Sequence, residues 1–258
     1  MDLSGKTALI TGSAKGLGKS TAMLLASYGC NIVLNYVTSE QAAQKLEQKI
    51  RDMGVRCIAI QADIAHPEQA ERLADEAEAA FGGIDILINN AGPFIRERRV
   101  FLEYRREEIT GLLHGNLLGV MLLDHRMLPG MRSRNWGRII HFGFGHAGEA
   151  RAWPHRAVYA AAKTGLVSFT KTLAVEEAAH GITVNMICPG DIRGENKEKT
   201  IDEVEGQIDD ESPRGRPGTG EDIARAIAFL CDSKSDFITG NILDVTGGLD
   251  PIRRTLKG

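Results

Sequence analysis

Thr7-Ala-Leu-Ile-Thr-Gly-Ser-Ala-Lys-Gly-Leu-Gly18 decides the fold. Its first five residues are a continuous β-type run, the pattern of a strand buried on both faces. Glycines follow at once (Gly12, Gly16, Gly18), and Lys19 to Tyr28 is a helix of small and apolar residues. A glycine turn between strand and helix lets backbone N–H groups approach a phosphate at the positive end of the helix. A tight strand-to-helix turn that needs positive φ explains the same glycines without any ligand. The spacing Gly-x-x-x-Gly-x-Gly differs from the Gly-x-Gly-x-x-Gly dinucleotide fingerprint, so the downstream chain must decide.

Downstream, strand and helix patterns alternate. Strands are expected at Asn31–Tyr36, Arg56–Ala62, Ile84–Ile88, Arg138–Phe142, Thr183–Cys188 and Ile238–Val245. Helices are expected near 39–53, 67–81, 107–131, around Tyr159 and at 221–231. This regularity predicts right-handed βαβ crossovers in a single-domain Rossmann-type α/β fold spanning 1–258, a doubly wound parallel sheet with helices on both faces. Ligands of such sheets lie beyond the carboxyl ends of the strands, where Gly12, Asp63 and Asn89 all fall. The second strand ends Asn35-Tyr36, with no acid to grip an unphosphorylated ribose, while Lys15 sits inside the glycine loop. That pattern favours NADP(H) over NAD(H). Glu40 offers an alternative acid, but it lies past the strand end on what reads as a solvated helix face.

Composition narrows the classes. Hydrophobic residues at 43% and a formal net charge of −3 give no basic field for nucleic acid, and the mixed charges of Arg96–Glu108 read as a solvated surface. No apolar run approaches the ~20 residues of a membrane span, and the start carries no signal-peptide pattern. A soluble, cytoplasmic protein is expected. Cys30, Cys57, Cys188 and Cys231 form no Cys-x-x-Cys pair and the seven histidines no metal-ligand spacing, so reduced thiols and no metal site are expected.

Tyr159-Ala-Ala-Ala-Lys163 is the candidate for chemistry. Side chains four apart on a helix share one face, and an ammonium beside a phenol favours the phenolate, which suits proton exchange with a carbonyl oxygen. A packing tyrosine beside a solvated lysine has the same spacing. Asn116, a poor interior helix residue, marks a helix defect that would expose a carbonyl or site a water. Between Glu195 and Arg216 the chain is densely charged, yet Ile201, Val204 and Ile208 keep helical spacing. This predicts an amphipathic lid over residues 193–216, with a mobile surface loop as the alternative.

Taken together, the glycine loop, Asn89-Asn-Ala-Gly92, Asn116, Tyr159-Ala-Ala-Ala-Lys163, Asn185 ahead of Pro189-Gly190, and Thr239-Gly240 ahead of Gly247-Gly248 resemble the classical short-chain dehydrogenase/reductases over essentially the whole chain. The nearest look is to bacterial 3-oxoacyl-[acyl-carrier-protein] reductases. The resemblance implies hydride transfer between NADP(H) and a small carbonyl or alcohol, and commonly a homotetramer or homodimer. It makes Tyr159 the general acid, Lys163 the residue that holds the nicotinamide ribose and lowers the tyrosine pKa, and Asn116 the anchor of a water. It puts Gly12, Ser13, Lys15, Gly16, Leu17, Gly18, Tyr36, Asp63, Ile64, Asn89, Ala91, Gly92, Tyr159, Lys163, Pro189, Gly190 and Ile192 at the cofactor.

Departures from the pattern bear on function. Family members carry a serine after the fifth strand that binds the substrate carbonyl, whereas Gly143–Pro154 contains none. Alignment on Arg138-Ile-Ile puts Phe144 there; counting back from Tyr159 puts His146 there. His146 is the candidate substitute, with His141 and His155 behind it, and a loop histidine without a catalytic role is the alternative. The threonine after Pro-Gly is also missing, and Glu176-Glu177 stand where an acyl-carrier reductase often has a basic residue. A dinucleotide-binding protein with little or no catalysis, a sensor or partner subunit, is therefore the second reading.

Overall fold

The computed structural model describes residues 1–254; residues 255–258 of the predicted domain lie outside the described residues. Seven parallel strands form one sheet in the order β3-β2-β1-β4-β5-β6-β7. They are β1 (Thr7–Ile10), β2 (Asn31–Tyr36), β3 (Cys57–Gln61), β4 (Ile86–Asn89), β5 (Gly137–Phe142), β6 (Ile182–Pro189) and β7 (Ile242–Val245). The period of two explains the two cores. Ala8, Ile10, Ile32 and Leu34 face one layer, which comprises α1 (Gly16–Ser27), α2 (Glu40–Arg51) and α7 (Gly220–Cys231). Leu9 and Val33 face the other, formed by α3 (Pro67–Phe81), α5 (Gly119–Arg134) and α6 (Ala157–Glu177). Strand order reverses between β1 and β4, and the crevice at that switch point is where such a sheet binds its ligand.

Three expectations shift. The helix anticipated over 107–131 is three pieces: α4 (Arg106–Leu113), a π-helical turn (His114–Leu118) and α5. The defect expected at Asn116 is that π turn, a form that concentrates at functional sites. The last strand starts at Ile242 rather than Ile238, because Gly240 turns with φ +74° while Thr239 and Gly240 bond Val184. Lastly, the lid segment forms no amphipathic helix. Only short 3-10 turns occur, at Gly194–Glu198 and Asp202–Val204; Val204 is buried but Ile208 is exposed. Gly206 and Gly215, both at positive φ, and Pro213 interrupt the pattern that the apolar spacing suggested.

Behind the sheet's carboxyl end lies a buried polar chain. Asn89 Nδ2 donates to Asp124 Oδ1 (2.7 Å), Asp124 Oδ2 is 2.7 Å from His141 Nε2, and His141 Nδ1 is 2.7 Å from Thr170 Oγ1. All four side chains are inaccessible. Thr170 spends its one proton on the Leu166 carbonyl, so the His141–Thr170 bond runs from the ring N–H to the hydroxyl. His141 is thus committed to the core and does not reach the crevice.

Candidate active site

The glycine loop is held from both sides. Asn35, at the end of β2, accepts from Gly12 N through Oδ1 (3.0 Å) and donates through Nδ2 to Ala62 O (2.9 Å), stitching the ends of β1, β2 and β3. Its backbone exchanges bonds with Ser13. Asn90 Nδ2 donates to Thr11 O (2.8 Å) and Gly12 O (3.1 Å) from the other side. A Cβ at Gly18 would lie 2.7 Å from that same Nδ2, so the third glycine is demanded by close packing. These contacts shape a cleft of about 1250 Å³ lined by Gly12, Asn35, Val37, Asp63, Ile64 and Asn90 among others. Asn90 and Gly92 also line a second cavity of about 910 Å³, together with Lys15, Gly16, Leu17, Asn116, Tyr159 and Lys163.

A carboxylate sits on this loop. Glu198 accepts from Gly16 N (2.8 Å) and from Lys19 Nζ (2.6 Å), while Ser20 Oγ holds Lys197 O (2.9 Å). Burial pushes the Glu198 carboxyl up, but the Gly16 amide and the lysines Lys19 and Lys15 outweigh it and hold it below the usual range. It thus takes up an N–H that a bound phosphate would seek. Glu198→Ala is therefore expected to tighten binding of a nicotinamide dinucleotide about three- to tenfold by isothermal titration; unchanged or weaker binding would show that the carboxylate does not compete.

Tyr159 and Lys163 lie on the first turns of α6, facing the cavity. Lys163 Nζ is 6.0 Å from the Tyr159 ring centroid. Burial pushes the lysine down to about 8, a shift that Cys188 only slightly offsets. Burial also raises the Tyr159 phenol well above its ordinary value, Cys188 adding to it. The expectation that Lys163 lowers the tyrosine pKa is thus not met here, because desolvation of the phenolate sets the direction. Asn116 Nδ2 donates to Pro93 O (2.8 Å) and Leu112 O (3.0 Å), leaving its buried Oδ1 without a partner. A Cβ at Gly92 would lie 2.3 Å from that Oδ1 and 3.6 Å from Lys163 Nζ, so the asparagine and the lysine converge on one glycine. An orphaned buried acceptor beside an ammonium has room for a bridging donor.

Not every expected residue comes to the crevice. Ser13 and Gly18 are buried in the loop's support, Asn89 is turned to Asp124 with Asn90 lining the cavity instead, and Val37 rather than Tyr36 lines the cleft. His146 is also elsewhere. At φ +67° its amide donates to Asp244 Oδ1 (2.7 Å) and its ring to Glu149 (2.8 Å), and it does not line the Tyr159 cavity. His155 likewise contributes its carbonyl, to the Tyr104 hydroxyl (3.2 Å). Phe144 does line the cavity, with its ring 6.1 Å from that of Tyr159.

Residues 12–250 match the family described as enoyl-(acyl carrier protein) reductase. The chain belongs to the short-chain dehydrogenase/reductase family. Within it, the chain is 46% identical over 248 residues to YtkK of Bacillus subtilis (strain 168), a protein named provisionally as an oxidoreductase, covering 96% of this chain and 97% of that one. It is 37% identical over 254 residues to the 3-oxoacyl-[acyl-carrier-protein] reductase FabG of Vibrio cholerae serotype O1, covering 96% and 99%. Among solved structures, a blue fluorescent protein from a metagenomic library in complex with NADPH superposes with a TM-score of 0.82 at 30% identity, covering 96% and 99%. Short-chain dehydrogenase/reductases are nicotinamide-dependent oxidoreductases, and the two neighbouring clefts fit that cofactor: Gly12 and Gly16, both at positive φ, and the orphaned Asn116 acceptor line them, with Gly18 packed tightly behind.

Asn35 and Asn90 stand in stretches that the sequence reading uses, but it does not mark either as a site residue, although both stand at strand ends, where polar side chains are few and therefore informative. Glu198 carried no signal, since its effect depends on a long-range contact. No helix among the described residues is long and apolar enough to cross a membrane, and none of their His, Cys, Asp and Glu groups could hold a metal.

Proposed function

We propose that the protein reduces a small-molecule carbonyl with NADPH, Tyr159 giving its proton to the carbonyl oxygen. The observation that carries this reading is the half-buried Tyr159 and the buried Lys163 lining one cavity with Lys15, Gly16 and Leu17 of the glycine loop. The bound reduced nicotinamide supplies the hydride. Tyr159, held protonated by burial, donates the proton, and Lys163, charged below about pH 8, supports the phenolate left behind. The fit of Asn116 to a water beside Lys163 gives a route for reprotonation. Preference for NADPH over NADH rests on the acid-free Asn35-Tyr36-Val37 end of β2 and on Lys15.

A 3-oxoacyl-thioester substrate is supported by the FabG relative but opposed by local charge. Of the two acids thought to repel an acidic carrier, Glu177 is buried and paired with Arg132 (2.8 and 2.6 Å), whereas Glu176 is exposed. The position of the serine is read as Phe144, which offers no hydrogen bond, so the second reading, binding without turnover, keeps a specific motive. Cytoplasmic location and a homotetramer or homodimer belong to the same proposal. The test is spectrophotometric: NADPH consumption against a panel of ketones, thioesters and quinones, repeated with NADH. Turnover with at least a tenfold preference for NADPH is expected; tight NADPH binding with every carbonyl inert would favour the second reading.

A further inference from the structure

Next to Tyr159, away from the glycine loop, lies a third cavity of about 400 Å³ whose walls are rings: Phe94, Phe144, Trp153, Pro189 and Pro251. Phe94 meets Tyr159 edge-on at 4.9 Å between centroids and 81° between planes. Phe144 and Trp153 pack on each other at 4.6 Å, and each ring centre is 6.1 Å from that of Tyr159. Arg98, Arg156, Gly190 and Asp191 complete the lining. The Arg156 guanidinium is committed to the carbonyls of Glu97, Arg96 and His155 and lies 5.0 Å from the Phe94 ring centre. It steadies a ring rather than presenting a charge to the cavity.

The loop that carries two of these rings is held in an unusual shape. His146, Ala150 and His155 all have φ between 51° and 67°, which side chains other than glycine rarely adopt. Such backbone persists only when its surroundings over-determine it. Here they do: Gly145 N bonds Pro189 O (2.9 Å), His146 N bonds Asp244, Arg151 bonds Asp250 (2.9 Å) and Tyr104 bonds His155 O. The rings are therefore fixed before any substrate arrives.

We propose that Phe144 and Trp153 are specificity-determining residues that select a planar, conjugated carbonyl, an aryl ketone or a quinone, by stacking against its ring while Tyr159 holds its oxygen. The inference rests on the carbonyl-reductase reading above. Rings present an electron-rich face and a positive edge, which reward another flat π-system more than a flexible chain of equal area. Positioning by stacking substitutes for the hydrogen bond that a side chain at Phe144 cannot give. In the step itself the carbonyl carbon takes a hydride from the reduced nicotinamide dinucleotide and the C=O π pair takes the Tyr159 proton. The products are an alcohol and the oxidised dinucleotide; from a quinone the first product is a hydroxy-dienone, which becomes the hydroquinone when the transferred hydrogen leaves its carbon as a proton and the second oxygen takes one up from solvent.

Steady-state kinetics with NADPH would compare acetophenone and menadione with acetoacetyl-N-acetylcysteamine in the wild type, Phe144→Ser and Trp153→Leu. The wild type is expected to show at least one of the flat substrates ahead of the thioester in kcat/KM by about tenfold or more, with each variant cutting that ratio roughly three- to tenfold. Circular dichroism and NADPH titration establish that a variant is folded and loaded. Should Trp153→Leu fail to fold, Trp153→Phe, which keeps a ring, is expected to retain most of the ratio. A wild type that prefers the thioester, or variants that leave the ratio unchanged, would overturn the selectivity assignment while leaving carbonyl reduction intact. NADPH binding with all three substrates inert would instead mean that the underlying reading has failed.

Discussion

Tyr159→Phe is expected to cut carbonyl reduction about a hundredfold to ten-thousandfold while leaving the NADPH dissociation constant within about twofold. The separation follows from the geometry. Phenylalanine keeps the edge-on packing with Phe94 and the place in the ring cluster, so only the donor atom is lost. The wild-type pH profile belongs to the same expectation. Burial raises the Tyr159 pKa, so the phenol stays protonated through neutral pH, and the first group to titrate is Lys163, at about 8. Reduction should be flat below that value and decline above it as the ammonium is lost. A profile that rises through pH 8 would contradict the assignment, as would a Phe variant with ordinary turnover.

The second large effect lies behind the site. Asp124→Ala is expected to destabilise the protein by about 3–5 kcal/mol, because it strands His141 and Asn89 in a dry core. In a chain of this size that lowers the midpoint of thermal unfolding by roughly 10 °C. Asp124→Asn provides the control. Its carbonyl can still accept from Asn89 and, in that variant, its amide can donate to Nε2 of a His141 ring protonated on Nδ1 alone, so most of the loss should be recovered. Equal losses in the two variants would mean that the network's hydrogen bonds contribute little. The sign is a property of burial rather than of charge alone, since surface pairs such as Arg72–Glu76 are worth far less.

Much of the architecture was legible because it follows from period and punctuation. Runs such as Thr7–Ile10 and Ile182–Pro189, apolar on both faces, can be satisfied only inside a parallel sheet, and the glycines after β1 mark where it binds. Asn116 was legible for the same reason: a residue that a helix tolerates poorly in its interior marked the π turn. What sequence could not express were contacts between distant segments. Ile201, Val204 and Ile208 have the right spacing for a helix, but neighbouring glycines and a proline, together with anchors to α1 and α7, leave short turns. His146 has the right count from Tyr159, yet a left-handed backbone turns its ring to Glu149. Glu198 had nothing in its neighbourhood to mark it, because its partner Gly16 is 182 residues away.

The most direct measurement follows the hydride itself. NADPH deuterated at the transferring position would be incubated with the purified enzyme and the ketone it consumes fastest, and the product examined by mass spectrometry. The account predicts one deuterium on the new carbinol carbon of a ketone's alcohol, formed by wild type and lost with Tyr159→Phe. NADPH oxidised without label at that carbon, or the same labelled product from the phenylalanine variant at an undiminished rate, would contradict it.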